Sequence, residues 1–131
     1  MIVTFFDFED DTNPFNGLAI SEPERLAALL DSLRAREPFI ARLVGENCHL
    51  DIGLGGDIGC VLFEARQPPL LMAVAAPVDR SNNEVEFMLG GTLSPVPARY
   101  ILPFEKMKEI VVHFQRTGER SPMVSWEKGR W

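Results

Sequence analysis

The chain has 131 residues, 46% of them hydrophobic and 24% charged, with a formal net charge of −6. That hydrophobic content excludes a disordered chain, and the length fits one domain, residues 1–131, able to bury a core without disulfides or a structural metal. An acidic surface repels nucleic acid and anionic lipid and attracts basic proteins, although solubility alone also accounts for such a balance.

The opening, Met1-Ile2-Val3-Thr4-Phe5-Phe6-Asp7, has no basic segment and turns acidic at once, unlike a secretory leader. The longest apolar run, 68–78, is too short to span a bilayer as a helix. The expectation is a cytoplasmic protein with no membrane partner.

Residues 1–8 are rich in strand formers, and the acidic stretch from Glu9 to Pro14 reads as a solvated turn. Ser21-Glu22-Pro23-Glu24 then announces a helix, with Ser21 as cap and Glu24 completing a capping box. Leu26, Leu29, Leu30 and Leu33 recur at helical spacing, and Pro38 closes the segment. A short strand is expected over 39–44. In 48–54, Cys48, Leu50, Ile52 and Leu54 alternate with His49, Asp51 and Gly53, the pattern of a half-buried strand with one polar face. Gly55-Gly56-Asp57 turns the chain back into a strand over 58–65, giving a hairpin.

The continuous apolar run over 70–76 suits a central strand buried on both faces. After a polar loop, 84–89 alternates again, with Val85, Phe87 and Leu89 on one face and Glu84 and Glu86 on the other, until Gly90-Gly91 breaks it. Pro103 suits the first turn of a second helix, whose apolar stripe is Phe104, Met107, Ile110, Val111 and Phe114 and whose stop is Gly118. A last strand is expected over 122–126. Strands grouped between two helices indicate an α+β fold: a single antiparallel sheet with both helices packed on one face.

No complete catalytic set emerges. The two histidines, His49 and His113, read as structural. His49 and Asp51 share a strand face and could form an acid–base pair, but no nucleophile or oxyanion donor accompanies them. The glycines from Gly53 to Gly59 lie between two strands, so no helix N-terminus waits there for a phosphate. Cys48 and Cys60 read as buried thiols, with a disulfide left open if their strands pair. His49 points away from the face of Cys48, which argues against a shared metal. No cofactor is expected, and the chain reads as a binding protein rather than an enzyme.

The stretch 86–126 runs Phe87-Met88-Leu89-Gly90-Gly91, Tyr100-Ile101-Leu102-Pro103, the second helix, Thr117-Gly118, then Pro122-Met123-Val124-Ser125-Trp126. In order and spacing it resembles the Imm-one family, immunity proteins of bacterial polymorphic toxin systems, some of which neutralise cytidine-deaminase toxins acting on DNA. The amino-terminal part agrees in general layout. The resemblance implies tight one-to-one binding of a cognate toxin, and the acidic balance argues against direct contact with nucleic acid. Gly90, Gly91, Pro103 and Trp126 are its motif residues, and physical chemistry gives them structural roles. The toxin-contacting candidates lie elsewhere, among acidic residues suited to a basic substrate cleft: Asp7, Glu9, Asp10 and Asp11 in the first turn, Asp79 in the polar loop, and Glu84 and Glu86, with Asp51 and Asp57 as weaker choices. A small adaptor or regulatory module with no toxin partner is the alternative.

Overall fold

The computed structural model describes residues 1–129. In chain order the elements are β1 (Val3–Asp7), β2 (Ala19–Ile20), α1 (Pro23–Leu33), β3 (Phe39–Val44), β4 (Cys48–Gly55), β5 (Ile58–Ala65), β6 (Leu71–Val74), β7 (Glu84–Leu89), β8 (Thr92–Pro97), a 3-10 turn (Ala98–Tyr100), β9 (Leu102–Pro103), α2 (Phe104–Thr117) and β10 (Ser125–Lys128). The main sheet has the order β10-β6-β5-β4-β3-β1-β2, with every neighbouring pair antiparallel. One parallel bridge, Phe39 to Met88, attaches the β7–β8 hairpin to the start of β3. The fold is α+β, as the element order implies.

Both helices lie on one face. The stripe of α1 (Leu26, Leu29, Leu30, Leu33) and that of α2 (Phe104, Met107, Ile110, Val111, Phe114) are buried in one cluster with Phe5, Leu43, Leu50, Ile52 and Val61 from the strands. Burial of each such large side chain contributes roughly 1.5–3 kcal/mol. Lys108 reaches from α2 to Asp31 on α1 at 2.9 Å and ties the pair at its rim. Gly118 closes α2 in the left-handed conformation, φ 74°, and its N–H donates to the Phe114 carbonyl.

The opposite face has its own cluster. Phe87 of β7, Val96 of β8 and Tyr100 pack over Ile40, Cys60, Leu62, Met72 and Val74. This close approach needs Gly53. A Cβ there would stand 2.7 Å from the Phe87 ring. Gly90 and Gly91, at φ 57° and 84°, make the two-residue turn between Leu89 and Thr92. Positive φ at both positions suits the turn that matches strand twist.

Four local expectations are corrected. Ser21 does not cap α1: the N-cap is Glu22, with no side-chain cap bond. The Ser21 carbonyl is held by the buried Gln115, whose Nε2 donates to it at 2.7 Å, and this tether sets where the chain enters the helix. β6 is not central but last but one, although Met72, Ala73 and Val74 are buried. The last strand begins three residues later than expected and pairs with β6 from Ser125 to Lys128. The polar face of β4 is partly covered, because the β7–β8 hairpin lies on it.

Candidate functional site

Two constructions carry the acidic candidates. The first is the turn after β1, built around Asp7. Its carboxylate is buried, with Oδ1 accepting the N–H groups of Glu9 and Asp10 at 2.8 and 3.1 Å. Oδ2 accepts Asn13 Nδ2 at 3.0 Å and Arg36 at 2.5 Å. Burial alone would raise the Asp7 pKa, but the bonds from Arg36, Asn13 and Glu9 outweigh it and hold the carboxyl below its ordinary range. Asp7 therefore shapes the turn and has no free carboxylate to present. Asp10 accepts both the N–H and the hydroxyl of Thr12, bonds that lower its pKa. Glu9 and Asp10 are half-buried and Asp11 is exposed, so the turn projects three carboxylates.

The second construction is the β7–β8 hairpin and the loop before it. Glu84 and Glu86 are exposed on the side turned from the sheet. Asp79 is exposed and accepts the Ser81 N–H at 2.8 Å; the Ser81 side chain and this backbone bond together lower its pKa. Its hollow also holds Arg80 and Arg99, so acid and base alternate there. One contact joins the two constructions: the Gly91 N–H at the hairpin tip donates to Glu9 Oε2 at 2.9 Å. Of the weaker choices, Asp57 is an open carboxylate paired with Arg34 at 3.0 Å. Asp51 is buried and gripped by Arg42 through two bonds of 2.6 and 3.1 Å. Those bonds raise the Arg42 pKa further.

The register of three strands assembles a cluster that single-strand reasoning does not reach. Arg42, Asp51, His49 and Glu64 come together on the face without helices, from β3, β4 and β5. His49 Nε2 is 2.8 Å from Glu64 Oε2, yet its N–H direction does not meet that oxygen, and Asp51 lies 4.0 Å away. Ligand atoms of His49, Asp51 and Glu64 lie within 4.8 Å of one another, the spacing of a three-ligand metal site. Arg42 already places a guanidinium on Asp51, and a second cation beside it would be repelled. The same grip leaves Asp51 unfit to orient His49 as a base. His113 is half-buried on α2, at the rim of the packed stripe. Cys60 is fully buried and Cys48 half-buried; both are free, and burial raises both thiol pKa values.

The motif residues sit at joints of the fold. Trp126 donates its indole N–H to the Ser121 carbonyl at 2.9 Å and meets the Phe63 ring edge-on, with 6.3 Å between centres. Pro103 pairs with Ile58 and stands at the N-cap of α2. Residues 16–128 match the family described as Immunity protein Imm1.

The chain belongs to the Imm1 immunity protein family. The match reaches well beyond the carboxy-terminal stretch that carries the resemblance in sequence, and takes in α1, both central hairpins, α2 and β10. Imm1 membership supports a toxin-neutralising immunity function, with a cognate toxin protein as partner. No curated protein matches the chain. Among the described residues, no helix is long and apolar enough to cross a membrane.

Proposed function

We propose that this Imm1 protein neutralises a toxin that acts on nucleic acid, such as a cytidine deaminase, by covering the toxin's substrate cleft in a one-to-one cytoplasmic complex. A protein that handles a polyanion presents a basic cleft, and an acidic inhibitor is steered to it and competes with substrate there. The bond between Glu9 and Gly91 carries this reading. It ties the turn bearing Glu9, Asp10 and Asp11 to the tip of the hairpin whose β7 carries Glu86 and, at its far end, Glu84, so the two acidic segments are held in a fixed relation. The acidic turn also precedes the segment shared with the family, where contacts peculiar to one toxin are expected.

The test is co-expression with the toxin encoded beside this gene, followed by stopped-flow association of the purified partners. Reversing Asp79, Glu84 and Glu86 to lysine should slow association at least about tenfold at low salt and flatten its salt dependence. Unchanged association would remove the hairpin from the interface. A toxin that retained full access to its substrate in the complex would end the occlusion reading.

A further inference from the structure

Among the described residues, the sheet face opposite the helices is covered over only part of its width. The β7–β8 hairpin closes over Gly53, Cys60, Leu62 and Met72. Beyond it, two cross-strand rows continue: Phe6, Arg42 and Asp51, then Thr4, Val44, His49 and Glu64. A solvated face of an antiparallel sheet ordinarily carries polar residues. Here Ile2 is 60% exposed, Phe8 42% and Val44 37%, with Phe6 half-buried between them.

The strip is ordered as well as apolar. The Arg42 guanidinium lies 5.4 Å from the centre of the Phe8 ring while both its bonds to Asp51 are made. Phe8 directly precedes the turn organised by Asp7, so its backbone is held on that side too. An aromatic ring fixed in place and still open to solvent loses little freedom when a partner covers it.

We infer that this strip, centred on Phe8 and Val44, is the apolar centre of the toxin-docking surface, with the acidic groups as its rim. The inference rests on the toxin-neutralising reading and deepens it. Its occupant is a toxin surface with an apolar projection ringed by lysine and arginine. The charges around the strip select that partner. Glu9, Asp10 and Asp11 stand at one end, the exposed Glu46 and the half-buried Glu64 at the other, and the charge of Arg42 is taken up by Asp51. A second copy of this chain would set those carboxylates against one another, whereas a basic partner pairs with them. An apolar centre inside a polar, charged rim is the usual anatomy of a specific interface.

The experiment uses the full chain and the toxin domain encoded beside its gene, with affinity measured by calorimetry. The double variant Phe8→Ser, Val44→Ser should still unfold cooperatively, at a modestly lower melting temperature because both side chains lie at the surface but are partly covered, and should bind at least about 100-fold more weakly. Phe8→Ala alone, expected to cost at least about tenfold, serves if the double variant does not fold. Met123→Ser, at a residue 73% exposed beside α2, should bind as wild type does. Binding by the Phe8 variants within threefold of wild type overturns the strip and leaves the neutralising function standing. A loss with Met123→Ser as large as theirs also overturns it. Failure of the wild-type chain to bind that toxin overturns both readings. A wild-type dimer that the double variant dissolves assigns the strip to a second copy and overturns the toxin as its occupant.

Discussion

Glu9 Oε2 accepts the Gly91 N–H across 2.9 Å, joining the end of β1 to the tip of a hairpin that begins more than seventy residues later. Near the tip the hairpin is also tied to β3 by the parallel bridge between Phe39 and Met88, whose N–H donates to the Pro38 carbonyl. Glu9→Ala should therefore loosen the tip without unfolding the protein. Gly91 amide exchange should quicken at least about tenfold, while global stability falls by less than about 1 kcal/mol, as for a solvent-exposed bond. Glu9→Gln keeps an acceptor oxygen and should retain most of the protection. Equal exchange in the alanine variant would show that the bond does not order the tip.

Asp7 gives a prediction of opposite character, because its carboxylate is enclosed by Glu9, Asp10, Asn13 and Arg36. Asp7→Ala should cost roughly 2–4 kcal/mol in urea denaturation, with the partly exposed Arg36 moderating the loss. The pH sign follows from the lowered pKa. A carboxyl held below its unfolded value contributes stability that is fully present above the ordinary 3.8 and lost as pH falls through the folded value. Wild type should thus lose stability below about pH 4 more steeply than the variant does. Parallel acid titrations of the two proteins would contradict this account.

Gly53→Ala tests the packing of the hairpin on the sheet. The added methyl meets the Phe87 ring, and also the Cys60 sulfur. Both neighbours are fully buried and have no room to retreat. The expected cost is about 1–3 kcal/mol by thermal or urea unfolding, from overpacking. Gly56→Ala makes an instructive contrast. Nothing lies near its Cβ position, but its φ of 59° disfavours a side chain, so its cost should come from the backbone alone. A neutral Gly53→Ala would mean that the hairpin does not pack as closely as described.

These contrasts also explain what was legible in the sequence. The stripe of α2 and its stop at Gly118 are local, so periodicity and one glycine suffice to find them. The hairpin of β4 and β5 follows from alternation around a glycine turn. β8 escapes such reasoning because Pro95 and Pro97 argue against a strand. It accepts them because, among the described residues, it pairs only with β7 and leaves its other edge without a partner strand. The capping box at Ser21 misleads because a distant side chain, Gln115, holds that residue. The acidic candidates are visible as residue types, but the burial of Asp7 and its separation in role from Asp11 are not. The cluster of Arg42, His49, Asp51 and Glu64 exists only once three strands are in register. One signal for the open face was present: Ile2, Phe6 and Phe8 share the parity of β1 opposite to buried Val3 and Phe5.

The two cysteines allow a prediction that separates the faces of the sheet. Cys60 belongs to the cluster under the β7–β8 hairpin, whereas Cys48 packs at the edge of the cluster under the helices. They also sit at different rungs of the same hairpin: Cys60 is opposite Gly53, and Cys48 is opposite Ala65. Side chains on opposite faces and five rungs apart cannot meet the geometry of a disulfide. Reductant should leave the melting temperature unchanged. Labelling of the native protein with an aromatic disulfide should be slow, because burial disfavours both thiolates, and Cys48 should react first as the more open of the two. Cys60 should react only through opening of the hairpin from the sheet, so Gly53→Ala, which crowds that contact, should speed its labelling and leave Cys48 nearly unaffected. A common rate for both thiols, or a Cys48–Cys60 bridge detected by mass spectrometry, would be incompatible with this two-faced arrangement.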